Sequence, residues 1–223
     1  MVGSGRLRIS FEKPIEPWEL GDQEGEVLVR LARKSIESVV LRGKEPIGGV
    51  RAPSSLYRPG AAFVTIEKLR GSQRTLRGCI GFFKAVRPLV QVVKESAIEA
   101  ALRDPRFPPL AEDELESIVV EVSVLSSPVE LPSRPDRRIE ELKIGRDGLI
   151  VSRPPYIGLL LPQVAIEHGW DPVIFLTEAC IKAGLSPTCW TEKTTRIYRF
   201  TASVWMEEAP RGPIKRKMAA EKG

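Results

Sequence analysis

The strongest constraint on the fold is a pair of strand-like runs with only a short turn between them. Residues 61–69 and 74–83 both favour strands, and Gly71, Ser72 and Gln73 stand between them. So short a connection makes the runs antiparallel, because a parallel return needs a crossover of a dozen or more residues. Gly145-Arg146-Asp147-Gly148, set between Ile144 and residues 149–152, reads as a second hairpin. Residues 118–125 are Val-rich and bounded by Pro128, which predicts another strand. Residues 157–161 predict a further one. In 195–206, Tyr198, Phe200, Ala202, Val204 and Met206 alternate with polar residues, as in a single half-buried strand.

Helical spacing sits among these runs. Residues 22–42 place Leu28, Leu31, Ala32, Ser35, Ile36 and Val39 on one stripe, with Asp22 as N-cap. Pro88 suits the first position of a helix whose face carries Leu89, Val92, Val93, Ala97, Ala100 and Ala101. Residues 163–168 predict a short helix, and Asp171-Pro172 opens one that closes at Gly184. Hairpins dominate and regular strand–helix–strand alternation is missing. The fold class expected is α+β, a mostly antiparallel sheet with flanking helices. A leader is expected at 1–21, with a strand at 6–11 before Pro14 and Pro17. The main domain follows at 22–207, with a break at 128–135 that places a smaller lobe at about 128–160. A disordered basic tail is expected at 208–223.

No apolar run approaches the ~20 residues of a membrane helix, and the first ten residues lack a signal-peptide core. Three cysteines, Cys79, Cys180 and Cys189, form an odd set and point to reduced thiols in the cytoplasm. The net charge of +5 is concentrated in the tail, where Arg211, Lys215, Arg216, Lys217 and Lys222 oppose only Glu221. With 6% aromatic residues and no basic stripe elsewhere, nucleic acid is the least supported partner. The chain has no asparagine and one histidine and is rich in Arg, Glu and Pro, a thermophile's composition.

The segment 76–81 concentrates the chemistry. Alternation in a strand puts Leu76, Ile80 and Phe82 on a core face, with Arg77, Cys79 and Gly81 opposite. Gly78 and Gly81 bracket the thiol and let another group come close. A guanidinium beside Cys79 would favour the thiolate, which makes Cys79 and Arg77 the catalytic candidates. Read locally, the favoured alternative is a buried structural cysteine in a bulged strand, with Arg77 paired to a surface carboxylate. His168 is the one available base, and nothing in the sequence links it to Cys79 in space. Asp104, Arg106, Gln163, Glu167 and Trp190 stand next to Gly/Pro punctuation and complete the binding candidates. Asp104 is the first-choice carboxylate near Cys79. No spacing fits a metal site, and no phosphate-binding loop is present.

Several motifs occur together and in order: Thr75-Leu76-Arg77-Gly78-Cys79-Ile80-Gly81, Asp104-Pro105-Arg106-Phe107-Pro108-Pro109-Leu110, the strand at 118–125, Leu160-Leu161-Pro162-Gln163-Val164-Ala165, and Lys182-Ala183-Gly184-Leu185 followed by Trp190. With these the chain closely resembles the AMMECR family, named after a candidate gene product of the human AMME syndrome, over about residues 26–207. The resemblance implies two unequal lobes with a cleft near Arg77, Gly78 and Cys79. It also implies an archaeal-type member and Memo-like and radical-SAM proteins as partners in a modification system. Arg77, Gly78, Cys79, Gly81, Asp104, Arg106, Gln163 and Trp190 match its motifs. It implies no reaction and no cofactor. The leading expectation is a domain that binds a small molecule or a protein partner at 76–81. The alternative is an enzyme with Cys79 as nucleophile.

Overall fold

The structure, a computed structural model, describes residues 13–44 and 51–217. In chain order the elements are α1 (Asp22–Arg42), β1 (Pro59–Arg70), β2 (Gln73–Pro88), α2 (Leu89–Leu102), β3 (Ile118–Leu125), β4 (Val129–Glu130), α3 (Pro135–Glu141), β5 (Gly148–Arg153), β6 (Tyr156–Leu160), α4 (Pro162–Glu167), α5 (Pro172–Lys182), β7 (Arg196–Phe200), β8 (Ala202–Glu207) and β9 (Ile214–Lys217). They build two antiparallel sheets, β2-β1-β3-β8-β9 and β4-β7-β5-β6. The fold is α+β. Among the described residues no helix is long and apolar enough to cross a membrane.

The larger sheet has two different faces because its strands alternate. Ala62, Val64 and Ile66 of β1, with Val120, Val122 and Val124 of β3, pack under α1 and α2. The opposite face meets the second sheet through Ala61, Leu125, Ile150 and Phe200. The second sheet packs its other face on α5, through Leu149, Val151 and Ile197 against Phe175, Leu176 and Ala179. β2 and β9 are the edge strands of the larger sheet, and β4 and β6 those of the second.

The chain passes between the sheets in two places. β3 leads to β4 and β7 leads to β8, and the crossings are tied together. Ser126 N–H donates to the Thr201 carbonyl and Thr201 N–H donates to Ser126 Oγ, each at 2.9 Å. The single strand expected at 195–206 is therefore two strands, one in each sheet. Tyr198, Phe200 and Ala202 keep to the side between the sheets across the break, and Trp205, on the expected polar side, pairs with Val122 and is fully buried because α1 covers that face of β8.

Other expectations change for local reasons. Gly21 caps α1, and Asp22 instead accepts from the Trp205 indole at 3.2 Å. Residues 143–147 join α3 to β5; they are not a hairpin, and the hairpin lies between β5 and β6. The second sheet extends from Val129 to Phe200, beyond the 128–160 span read from the proline break. The last leader residues belong to the core: Ile15 and Leu20 are buried, and the Glu16 carboxylate accepts from Ser127 N–H at 3.0 Å and Oγ at 2.6 Å. The strand expected at 6–11 lies outside the described residues.

The disordered tail is corrected as far as residue 217. β9 pairs with β8, Arg211 bridges Glu37 and Glu116, Lys215 pairs with Glu208, and Arg216 lies over the Trp205 ring. The basic charges that suggested a solvated tail are thus largely neutralised by the domain. The expectation of three reduced thiols is corrected as well. Cys180 at the end of α5 and Cys189 form a disulfide, with Cα atoms 5.9 Å apart. Helical phase already explained why Cys180 is buried, so its sequence context carried no sign of a partner.

Candidate functional site

Cys79 lies on the face of β2 that looks toward the second sheet. In the ladder it pairs with Thr65 of β1, which pairs with Glu121 of β3, so the three share one row on one face. Thr65 Oγ1 lies 3.3 Å from the thiol sulfur. Cys79 is the free cysteine among the described residues and is half-buried.

The backbone of Cys79 is capped by side chains. Its N–H donates to Asp104 Oδ2 at 2.8 Å, and its carbonyl accepts from Arg106 Nη2 at 3.3 Å. Asp104 and Arg106 grip one another through Nε at 2.9 Å and Nη2 at 2.7 Å. The pair therefore occupies an open position on the edge of β2, supplying one acceptor and one donor as a neighbouring strand would. The Arg106 hydrogen bonds hold the buried Asp104 carboxyl down at about 2, against the opposing effect of burial, and the Cys79 and Arg106 N–H groups add to the lowering. Asp104 does lie beside Cys79, and it meets the backbone of that residue.

Arg77 does not share this site. β2 carries a bulge at that point: Gly78 pairs with Ile66 and Leu76 with Glu67, leaving Arg77 as the extra residue. The inserted residue reverses the alternation on its N-terminal side. Leu76 is therefore 43% exposed, although Ile80 and Phe82 pack on the core as expected. Arg77 turns to Glu114, with contacts of 3.0 and 2.8 Å, and to the carbonyls of Pro108 and Pro109. Arg77 thus braces the 104–114 loop and is a positioning residue. The bidentate hydrogen bonds from Arg77 lower the Glu114 carboxyl to about 2.

The two glycines are explained by close packing. A Cβ on Gly78 would lie 2.3 Å from the Ala100 carbonyl oxygen of α2, and one on Gly81 would lie 2.3 Å from Phe63 Cγ. Neither position is open to a ligand. Gly78 brings the strand against α2, and Gly81 lets the Phe63 ring lie across β2.

The space in front of Cys79 is a groove of about 360 Å³ between the sheets. Phe63, Ile80, Leu159, Leu161 and Val164 give it apolar walls, and Asp104, Arg106 and Lys182 bring polar groups to it. Gln163 and Glu167 belong to α4, which contributes Val164. Glu167 is exposed and lies 3.9 Å from Lys217. His168 is exposed and stacks on Trp170 with ring centres 4.7 Å apart. Trp190 packs against the second core and donates its indole N–H to Thr177 at 3.3 Å. His168 and Trp190 are not among the groove's lining.

Glu121 and Lys182 were missed from the sequence. A glutamate inside a Val-rich strand was a usable signal, because every residue of β3 is buried. Burial pushes the Glu121 carboxyl up, with Lys217, 3.5 Å away, acting in the other direction. Burial also pushes the Cys79 thiol up, despite lowering contributions from Thr65 and Arg106. Cys79 should therefore alkylate slowly near neutral pH, with a midpoint above that of an ordinary thiol, and Cys180 and Cys189 should not label. Iodoacetamide labelling followed by mass spectrometry across pH checks this. A midpoint below pH 7 would instead show an activated nucleophile.

The fold and the site define an α+β domain of two antiparallel sheets whose shared groove abuts a side-chain-capped strand edge. A family model described as AMMECR1 matches residues 29–205, and the chain belongs to that family. A protein from Aeropyrum pernix is 51% identical over 217 residues, covering 97% of this chain and 93% of that protein. Protein PF1979 from Pyrococcus furiosus is 48% identical over 201 residues, covering 90% and 96%. The crystal structure of the uncharacterized protein PH0010 from Pyrococcus horikoshii matches with a TM-score of 0.85 at 47% identity, covering 89% of this chain and 98% of that one. These relatives come from thermophilic archaea.

Proposed function

We propose that this chain is a ligand-binding domain whose groove at Cys79 takes a small amphiphilic anion, with a carboxylate or phosphate head and an apolar body. The supporting observation is the lining: apolar walls from both sheets, with the Arg106 guanidinium and the Lys182 ammonium as the cations beside them. The carboxylate at the site, Asp104, is already neutralised by Arg106, so an incoming anion meets net positive charge. The volume lies in the range of small-molecule sites. A nucleophilic role for Cys79 has less support, because the thiol is pushed up and His168 stacks on Trp170 outside the groove. Memo-like and radical-SAM partners rest on the family resemblance alone.

Calorimetric titration with octanoate and with hexyl phosphate tests the proposal. Both should bind. Lys182→Glu should weaken them about fivefold, in line with an exposed charge contact worth up to roughly 1 kcal/mol. Val164→Trp, which fills the groove, should abolish binding. The proposal fails if neither compound binds at millimolar concentration, or if both variants bind as the parent chain does.

A further inference from the structure

The groove at Cys79 is one of two cavities beside the same pair of strands. A second cavity of about 560 Å³ lies further along, between Phe83, Lys84 and Val86 of β2 and Ile157 of β6, with Ile150 and Tyr198 also lining it. The same two strands border both cavities: Cys79 and Ile80 face Leu159 and Leu160 in the first, and Phe83 faces Ile157 in the second. Their linings share no residue, and together they form an interrupted trough along two strand edges.

The two edges are treated differently. Proteins blunt open edges with charges, prolines, bulges or covering segments, because unpaired N–H and C=O groups recruit another strand. β2 is blunted at Cys79 by Asp104 and Arg106 and is bulged at Arg77 and near Ala62. β6 pairs only with β5 and carries no charged residue, and Tyr156 and Ile157 are about half exposed. Beside it Val86 is 74% exposed. An apolar trough along an uncharged edge suits an extended chain, with backbone bonds supplying affinity and alternate side chains filling the pockets. The charge selects the kind of chain. Among the described residues Lys84 and Lys182, one beside each cavity, carry no ion pair, and Asp104 is neutralised.

We infer that the occupant of this trough is an extended acidic peptide segment of a partner protein, added as a strand to β6. The inference rests on the reading that the Cys79 groove takes an anion, and it names the class of that anion. A peptide carboxylate sits by Lys182 and Arg106, its apolar side chains enter the trough, and a further acidic residue reaches Lys84.

Fluorescence anisotropy on the full chain tests it with a labelled heptapeptide of alternating valine and threonine ended by aspartates with a free carboxylate. Controls are the same peptide ended by lysines and amidated, and the acidic peptide N-methylated at alternate amides along one edge or the other. The acidic peptide should bind at least tenfold more tightly than the basic one. N-methylation along one edge should weaken it tenfold or more, and along the other edge hardly at all. Lys84→Glu, an exposed change away from the Cys79 groove, should weaken the acidic peptide and leave octanoate binding unchanged. The inference is overturned if octanoate binds and the peptide does not, an outcome that leaves the small-anion reading standing. It is also overturned if both N-methylated peptides bind like the parent peptide, or if β6 proves to pair with a second copy in a concentration-dependent dimer. If neither octanoate nor the peptide binds, both readings fall together.

Discussion

Asp104→Ala should cost the fold about 2–4 kcal/mol and expose Cys79 to alkylation. The estimate combines two overlapping effects. Removing the acceptor leaves the Cys79 N–H without a partner, a loss of about 1–3 kcal/mol, and strips Arg106 of its bidentate grip. The carboxyl titrates at about 2 in the fold, against 3.8 when free, which corresponds to roughly 2 kcal/mol at neutral pH. The sign of the pH dependence follows. Between these values the unfolded chain binds more protons, so the contribution is complete above about pH 5 and disappears as pH falls through 4 toward 2. Urea unfolding across pH should therefore show parent and variant converging in acid. Glu114, lowered in the same direction by Arg77, should cause the parent's own stability to fall over the same window. A variant equal to the parent at pH 7 would mean that the Asp104–Arg106 pair does not support the edge of β2.

Glu207→Ala should strongly destabilise the larger sheet. Arg33 of α1 and Glu207 at the end of β8 form a buried ion pair. Arg33 also donates to the carbonyls of Leu115 and Ile118, at 3.3 and 2.8 Å, and Glu207 accepts from Val120 N–H at 3.1 Å. These contacts tie α1, β3 and β8 together. Removing the carboxylate leaves a buried guanidinium uncompensated, at a cost of about 3–5 kcal/mol, or roughly 10 °C in melting temperature for a chain of this size. Replacing both partners with apolar residues, Arg33→Met with Glu207→Leu, should recover much of the loss, because no buried charge is left. Thermal and denaturant unfolding of the single and double variants checks this. A loss under about 1 kcal/mol for Glu207→Ala would contradict it.

The sequence was most legible where short-range chemistry decides the structure. The turn closes the β1–β2 hairpin as expected, at Gly71-Ser72 with Gln73 already paired to Arg70, the Val-rich run at Ile118–Leu125 forms β3 with the expected bounds, and Asp171 caps α5 by accepting from Ile174 N–H at 2.8 Å. Asp104 could be placed near Cys79 because only one helix separates the strand from the loop. Features set by distant pairing were not legible. The bulge and the pairing of Arg77 with a carboxylate match the alternative reading of that strand, signalled by its glycines, whereas Arg106 as the cation beside Cys79 left no mark in local alternation. The crossing at Thr201 depends on Ser126, far away in the chain, and the Cys180–Cys189 pairing depends on how α5 packs. The two glycines of the motif suggested access for a ligand. In the structure the space beside each is filled, by α2 in one case and by Phe63 in the other.

The groove between the sheets is the place proposed to hold a ligand. A crystal structure of the chain grown with octanoate tests this most directly. The predicted result is density in front of Cys79, with the carboxylate within hydrogen-bonding distance of Arg106 or Lys182 and the alkyl chain between Ile80 and Leu161. Octanoate bound elsewhere on the chain, with the groove at Cys79 empty, would contradict it.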